Sequence, residues 1–199
     1  MKTKLPSDAV IGVGVLPGCV FDPDTIHEAA MKGVGLPTPA MLEAIVNGLQ
    51  AAYPGKIDRS QPWLFSNSGG AMIQMKLLYA SARELVMLFG SPVGTCGHSG
   101  RHRVDFYDTF TAGEVWYYGA GQLDRTAFGP GDRAILPKGQ AVGFFVPDHF
   151  WGLEYARGPL GTMFPFGLAD SFTSTLDVRT VAAVFKTFAK LNLRSLLSR

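Results

Sequence analysis

Between residues 103 and 157 the chain repeats one pattern. Short runs rich in β-branched and aromatic residues, RVDFYDTF, EVWYY, TAF, RAILP, QAVGFFV and FWGLEYA, are parted by the turn sequences GAGQ, GPGD, PKG and VPDH. Strands at such regular spacing, each ended by Gly or Pro, bury one face by folding onto one another, which confines the segment to a small barrel or sandwich. The even spacing fits a closed barrel best. The 24 Gly and 13 Pro among 199 residues exclude a coiled coil and agree with many tight turns. That length is one domain's worth, enough to close a core without disulfides or a structural metal.

Eighteen Lys and Arg against 16 Asp and Glu leave a net charge of +2, which excludes a nucleic-acid footprint spread over the whole surface. Only 17% of residues are charged, against roughly 25% in an ordinary soluble domain, while 47% are hydrophobic. Such a chain must hide apolar surface in a large pocket, in an oligomer interface or against lipid. The uncharged run at residues 9–21, AVIGVGVLPGCVF, is broken by Pro17 and falls short of the roughly 20 residues of a spanning helix. Lys2 and Lys4 resemble the start of a signal peptide, but no small-x-small cleavage site follows cleanly. Cys19 and Cys96 form no CxxC pair, so neither zinc nor redox chemistry is suggested, and two buried thiols are expected in preference to one disulfide.

Helices are predicted at 25–31 and 37–53, the second from Thr38 and Pro39 at its start and Met41, Leu42, Ile45, Val46 and Leu49 at helical spacing. Met72, Met75, Leu78, Tyr79, Leu85, Met87 and Leu88 predict a further helix of about 17 residues, apolar on most faces and therefore buried, in which Glu84 needs a partner. Ser174-Thr175-Leu176-Asp177 has the form of a helix start. Beyond it come Arg179, Lys186, Lys190, Arg194 and Arg199 with no acid, alongside Val181, Val184, Phe185, Phe188, Leu191 and Leu197. This basic amphipathic segment reads as a helix packed on the barrel with a solvated basic face, as a helix lying on an anionic membrane surface, or as both.

Carboxylates stand where burial makes them costly. Strand alternation puts Val104, Phe106, Asp108 and Phe110 on one face and Asp105, Tyr107 and Thr109 on the other. Glu154 lies in a strand with aromatic residues on both faces and no cation closer in sequence than Arg157. Two carboxyls inside one apolar barrel repel and resist ionisation, so such a pair can hold one proton between them. The plainer alternative pairs each with one of His98, Arg101, His102 or Arg103. His27, His98, His102 and His149 lack the spacing of a metal-bearing cupin strand, so no metal site is expected. No Gly-x-Ser-x-Gly elbow or phosphate loop is present, and the GAG at 119–121 is turn chemistry.

Five segments in fixed order, NSGGAMIQM at 67–75, LFG at 88–90, GTCGHSG at 94–100, EYARG at 154–158 and PFGLADSFTSTLD at 165–177, resemble the family of fungal C-8 sterol isomerases and the animal sigma-1 receptor. The resemblance runs from about residue 21 to about residue 188. GGAMxQM and PFG…DSFTSTLD are more similar to the isomerases, HSGR and Asp108 to the receptor. It implies an α+β fold: a cupin-like β-barrel with N-terminal helices, and C-terminal amphipathic helices packed over the barrel mouth and facing the membrane. The expected single domain, 1–199, divides into an apolar N-terminal segment (1–20), a helical part (21–100), the barrel (101–170) and C-terminal helices (171–199). A homotrimer without metal or cofactor is implied. Both branches usually begin with a transmembrane helix; no such segment occurs within these 199 residues, and if nothing precedes them membrane contact is expected through the C-terminal helices alone. The expected location is the endoplasmic reticulum in a eukaryote, or the cytoplasmic face of the membrane in a bacterium.

The receptor's ligand-binding acids fall on Asp108 and Glu154. In fungal isomerases the strand acid falls on Asp105 beside a second acid, where this chain has Phe106, so the strand acid is Asp108 or else Asp105. The apolar lining implied is Met75, Leu77, Leu85, Met87, Phe89, Phe106, Val146, Leu160, Met163, Phe164 and Phe188. Leu85 and Ala71 stand where the receptor carries aromatic residues, which leaves more room for a rigid tetracycle. The activity implied moves a sterol ring double bond from carbon 8 to carbon 7. A neutral acid protonates carbon 9, a cation forms at carbon 8, and a base takes a proton from carbon 7. Glu154 is expected to face the cation, with Asp108 or Asp105 as its proton-sharing partner. The alternative is a non-catalytic, sigma-receptor-like binding protein for hydrophobic amines or sterols that uses the same acids to hold an ammonium.

Overall fold

The computed structural model describes residues 14–197. Helix α1 (Pro23–Met31) starts where Asp22 Oδ2 accepts the Thr25 backbone N–H at 2.9 Å and Pro23 takes the first helical position. Helix α2 (Thr38–Ala52) follows, matching the expectation for 37–53. Ten strands come next: β1 (Leu64–Ser68), β2 (Ala71–Ala80), β3 (Glu84–Ser91), β4 (Thr95–His98), β5 (Asp105–Gly113), β6 (Val115–Tyr118), β7 (Thr126–Phe128), β8 (Arg133–Leu136), β9 (Gly143–Val146) and β10 (Phe150–Arg157). A 3₁₀ turn (Leu160–Met163) leads into α3 (Phe164–Thr173) and α4 (Val178–Leu197).

The strands form two antiparallel sheets, β1-β2-β3-β10-β5-β8 and β4-β9-β6-β7. The architecture is α+β, with two sheets facing each other, but the ladder does not close into one barrel. The sheets meet at one edge through the His98 N–H on Gly69 O at 2.9 Å. At the other edge the segment 129–132 is tied to β5 by Gly131 N–H on Phe110 O and Phe110 N–H on Asp132 O, at 2.8 and 3.0 Å. Between the sheets lies a core that includes Phe89, Phe106, Phe110, Val115, Val146 and Phe150. On the far face of the larger sheet, Val86, Leu88, Leu153 and Tyr155 pack with Ile26, Met41, Ile45 and Leu49 of α1 and α2.

The helix expected over residues 72–88 is instead the hairpin of β2 and β3, so the strands begin at Leu64 and the segment 21–100 is not wholly helical. The reason is position in the sheet. β3 is central and buried at every residue, with Leu85, Met87 and Phe89 in the inter-sheet core and Val86 and Leu88 under the helices. A strand buried on both faces loses its alternation and reads as a continuous apolar run, which periodicity does not separate from a buried helix. Glu84 does find partners: its carboxylate accepts the backbone N–H groups of Val20 and Phe21 at 2.7 and 3.0 Å and the Tyr155 hydroxyl at 2.9 Å. The cysteines also differ from expectation. Both thiols are free, but Cys19 is half-buried and Cys96 exposed, opposite the half-exposed Phe145 in the smaller sheet.

At the C-terminus Asp177 caps α4, accepting the Thr180 N–H at 3.0 Å. Leu168 of α3 and Val181, Val184 and Leu191 of α4 join the inter-sheet core, and the two helices pack against β1 and β2. Among the described residues no helix is long and apolar enough to cross a membrane.

Candidate functional site

β5 and β10 are neighbours, in a register that sets Glu154 directly opposite Asp108. Opposed residues of an antiparallel pair share a face with Cβ atoms about 4.5–5.5 Å apart, so both carboxyls project toward the smaller sheet. Met87 of β3 flanks Glu154 and Ala134 of β8 flanks Asp108, while Phe106 and Phe110 stand on either side of Asp108 along β5. Among the described residues neither carboxyl is paired with a cation. Both residues are buried, and Asp108 Oδ1 and Glu154 Oε1 have no hydrogen-bond partner among the described residues. Asp108 Oδ2 accepts the hydroxyl of Tyr117, on β6, at 3.2 Å.

Burial decides the electrostatics. It pushes the Asp108 carboxyl up to about 7, against the opposing pull of the Tyr117 hydrogen bond. Burial first, and then the Asp108 charge, push Glu154 well above the usual carboxylate range. The plainer alternative of separate ion pairs is not what the structure contains. His98 Nδ1 accepts the Gly100 N–H at 2.9 Å, His102 Nε2 meets Ser99 O at 3.1 Å, and the Arg101 guanidinium donates to Gly139 O. Asp105 points to the opposite face, where it accepts the Lys138 N–H at 2.8 Å and lies 4.0 Å from Arg157 Nε. Of the two strand acids, Asp108 is the one brought to Glu154.

Two adjoining lobes meet at Glu154. The larger, about 190 Å³, is lined by nine of the expected apolar residues: Met75, Leu77, Leu85, Met87, Phe106, Leu160, Met163, Phe164 and Phe188. The smaller, about 120 Å³, contains Asp108, Tyr117 and the expected Phe89. Val146 lines neither; it is fully buried in the inter-sheet core. Sequence reasoning missed Tyr117, His102, Ser99 and Phe166 as lining residues. The alternation Val115-Trp116-Tyr117 carried the signal for Tyr117, since it turns Val115 and Tyr117 inward together. Burial lowers the His102 pKa, and the ring's bond to a carbonyl puts a proton on Nε2.

The motif residues converge where α3 seats over the cavity. Phe166 packs edge-on against His102 with ring centroids 5.0 Å apart. It also lies against Gly69 and Gly100, where a Cβ would come within 2.7 and 2.9 Å of its ring. Gly69 has φ +60°, and a Cβ there would stand 2.2 Å from His98 O, so only glycine fits. Asp170 Oδ2 accepts the Gly70 N–H at 2.9 Å and fastens α3 to the β1–β2 turn. α4 supplies Val184 and Phe188 to the larger lobe, and near its end Arg194 Nη1 reaches the buried Asp58 at 3.0 Å. Among the described residues no three His, Cys, Asp or Glu side chains converge as metal ligands.

An α+β protein of two facing sheets whose cavity carries an apposed, desolvated carboxyl pair under two helices is the class that fold and site define. The family model described as "ERG2 and Sigma1 receptor like protein" matches residues 12–199, and the chain belongs to that family. It is 34% identical over 184 residues to the C-8 sterol isomerase erg2 of Aspergillus fumigatus, covering 90% of this chain and 77% of that one. It is 38% identical over 166 residues to the erg2 homolog of Dictyostelium discoideum, covering 83% and 71%. With the sigma non-opioid intracellular receptor 1 of Xenopus tropicalis it shares 35% identity over 173 residues, covering 86% and 78%. Among solved structures it is similar to the polyketide cyclase RemF of Streptomyces resistomycificus, with a TM-score of 0.43, 20% identity, and coverage of 49% of this chain and 74% of that one.

Proposed function

We propose that this protein shifts a carbon–carbon double bond in a sterol ring, from carbon 8 to carbon 7, by acid–base chemistry at the Asp108–Glu154 pair. The observation that carries the proposal is the direct apposition of two buried carboxyls, each with an unpartnered oxygen, at the meeting of two apolar lobes. An alkene is a weak base, so its protonation needs a neutral acid in a dry site; desolvation supplies that acid by raising both carboxyl pKa values. The cation that forms needs negative charge nearby, and the ionised member of the pair provides it. A proton leaving carbon 7 returns to the pair, which ends the cycle as it began. The substrate is taken from relatives that are C-8 sterol isomerases.

Each lobe alone is smaller than the roughly 300 Å³ at which ligand pockets begin and the two together only just reach it, so a tetracyclic substrate is expected to displace α3 and α4. Those helices also support a membrane-facing role. Phe185, Leu193, Leu196 and Leu197 are exposed on α4 beside Lys186 and Lys190, an arrangement suited to an anionic lipid surface, in the endoplasmic reticulum of a eukaryote or on the cytoplasmic face of a bacterial membrane. A homotrimer goes with the same reading.

A second reading has its own support. A carboxylate at the end of an apolar cavity is also a site for a hydrophobic ammonium, and the relatives include sigma receptors. The experiment that separates the two is incubation of purified protein in detergent with a Δ8-sterol. Conversion to the Δ7 isomer that disappears in Glu154→Gln supports the isomerase. Absence of turnover together with micromolar binding of hydrophobic amines, lost in the same variant, supports the binding protein.

A further inference from the structure

The two carboxyls are not equivalent, and the difference lies in a hydroxyl on the opposite sheet. Tyr117 rises from β6 with its ring among Phe110, Phe128 and Phe144, and its hydroxyl is within reach of Asp108 Oδ2 at 3.2 Å. Buried tyrosine hydroxyls usually find an acceptor, and Asp108 is the one this hydroxyl has. Glu154 Oε1 receives no such donor among the described residues. A hydrogen bond to an ionised carboxylate is about twice as strong as one to its neutral form. Lining also differs: Glu154 borders both lobes, whereas Asp108 borders the smaller one only.

We propose that Tyr117 is a positioning residue that breaks the symmetry of the pair: its hydroxyl keeps the negative charge on Asp108 and leaves the shared proton on Glu154, the member facing the larger lobe. This rests on the isomerase reading for its chemical consequence, though not for the proton's location. Glu154 is then the acid. Its O–H bond breaks as the alkene π pair forms a C–H bond, leaving a cation beside two carboxylates. The C–H bond adjacent to the cation then breaks, its electron pair becomes the new double bond, and the proton returns to Glu154. Asp108 remains ionised throughout, and Tyr117 remains protonated, since burial and the Asp108 charge both oppose its ionisation.

Few other groups can compete for that proton. The titratable side chains lining the lobes are Asp108, Glu154, Tyr117, His98 and His102. β1, β2, β3, α3 and α4 present only serine, glycine and apolar side chains there. Burial disfavours the charged form of His102, whose Nε2 proton is directed at Ser99 O, and His98 Nδ1 is already an acceptor for Gly100.

The test is carbon-13 NMR of the full chain with labelled Asp and Glu carboxyls, assigned by Asp108→Asn and Glu154→Gln. In the wild type near pH 8, the Asp108 carbon is expected at its ionised position and the Glu154 carbon at its protonated one. Tyr117→Phe removes one oxygen and keeps the ring, and is expected to raise the midpoint of the first ionisation by about one pH unit. The acid limb of the pH–rate profile should move with it. A proton found on Asp108 in the wild type overturns the proposal even if the variant does not fold. So does an unchanged midpoint in a folded Tyr117→Phe. A wild type that titrates as expected but does not isomerise sterol refutes the proposed function and leaves the assignment of the proton standing.

Discussion

Replacing Asp108 with Asn is expected to make the protein more stable at alkaline pH while removing half of its candidate chemistry. The Asp108 carboxyl is buried, one oxygen lacks a partner among the described residues, and burial raises it from an ordinary 3.8 to about 7. The folded state therefore holds the proton more tightly than the unfolded chain. Stability from this group is full below pH 3.8 and is lost as pH rises toward 7. At about 1.4 kcal/mol per pH unit over roughly three units, the loss is on the order of 4 kcal/mol. Asparagine cannot ionise, and its amide oxygen still accepts the Tyr117 hydroxyl. Asp108→Asn should thus resemble the wild type near pH 4 and exceed it by several kcal/mol near pH 8. Denaturant unfolding followed by circular dichroism across that range measures the difference. Parallel stability curves for the two proteins would refute the reasoning, because they would mean that the Asp108 carboxyl ionises in the folded protein as it does in water.

Two further outcomes follow from the framework. Glu84→Gln replaces an acceptor that holds Val20 N–H, Phe21 N–H and the Tyr155 hydroxyl with a group that presents a donor to one of them; a loss of roughly 3 kcal/mol in denaturant unfolding is expected, without change in ligand affinity per folded molecule. Gly69→Ala sets a Cβ 2.2 Å from the His98 carbonyl oxygen at φ +60° and against the Phe166 ring; it should cost several kcal/mol and free α3 from its seat, read as faster proteolysis within residues 164–173.

Much of this was legible in the sequence, for physical reasons that also explain the rest. α1 and α2 carry helical periodicity because only one face of each is buried, and the strands after residue 103 declare themselves by their turns. β2 and β3 did not, since helices on one side and a second sheet on the other erase alternation in a central strand. Asp108 and Glu154 stood out as acids in apolar rows. That Asp108, and not Asp105, opposes Glu154 depends on pairing register, which no local pattern encodes, and Arg157 accounts for Asp105 on the other face. The division into two sheets is likewise a property of which edges pair, so the even strand spacing pointed to a closed barrel that the pairing does not form. Tyr117 lay in plain alternation, but its importance rests on a contact across the two sheets.

The central claim is that the Glu154–Asp108 pair moves a solvent-exchangeable proton onto and off a ring alkene. Exchanging the purified protein into heavy water, mixing it in excess with a Δ8-sterol so that each molecule turns over once, then analysing the product by mass spectrometry, tests that claim most directly. The account predicts a Δ7-sterol carrying one deuterium, formed by the wild type and not by Glu154→Gln. A Δ7 product without deuterium, or equal product from the Glu154→Gln variant, would contradict it.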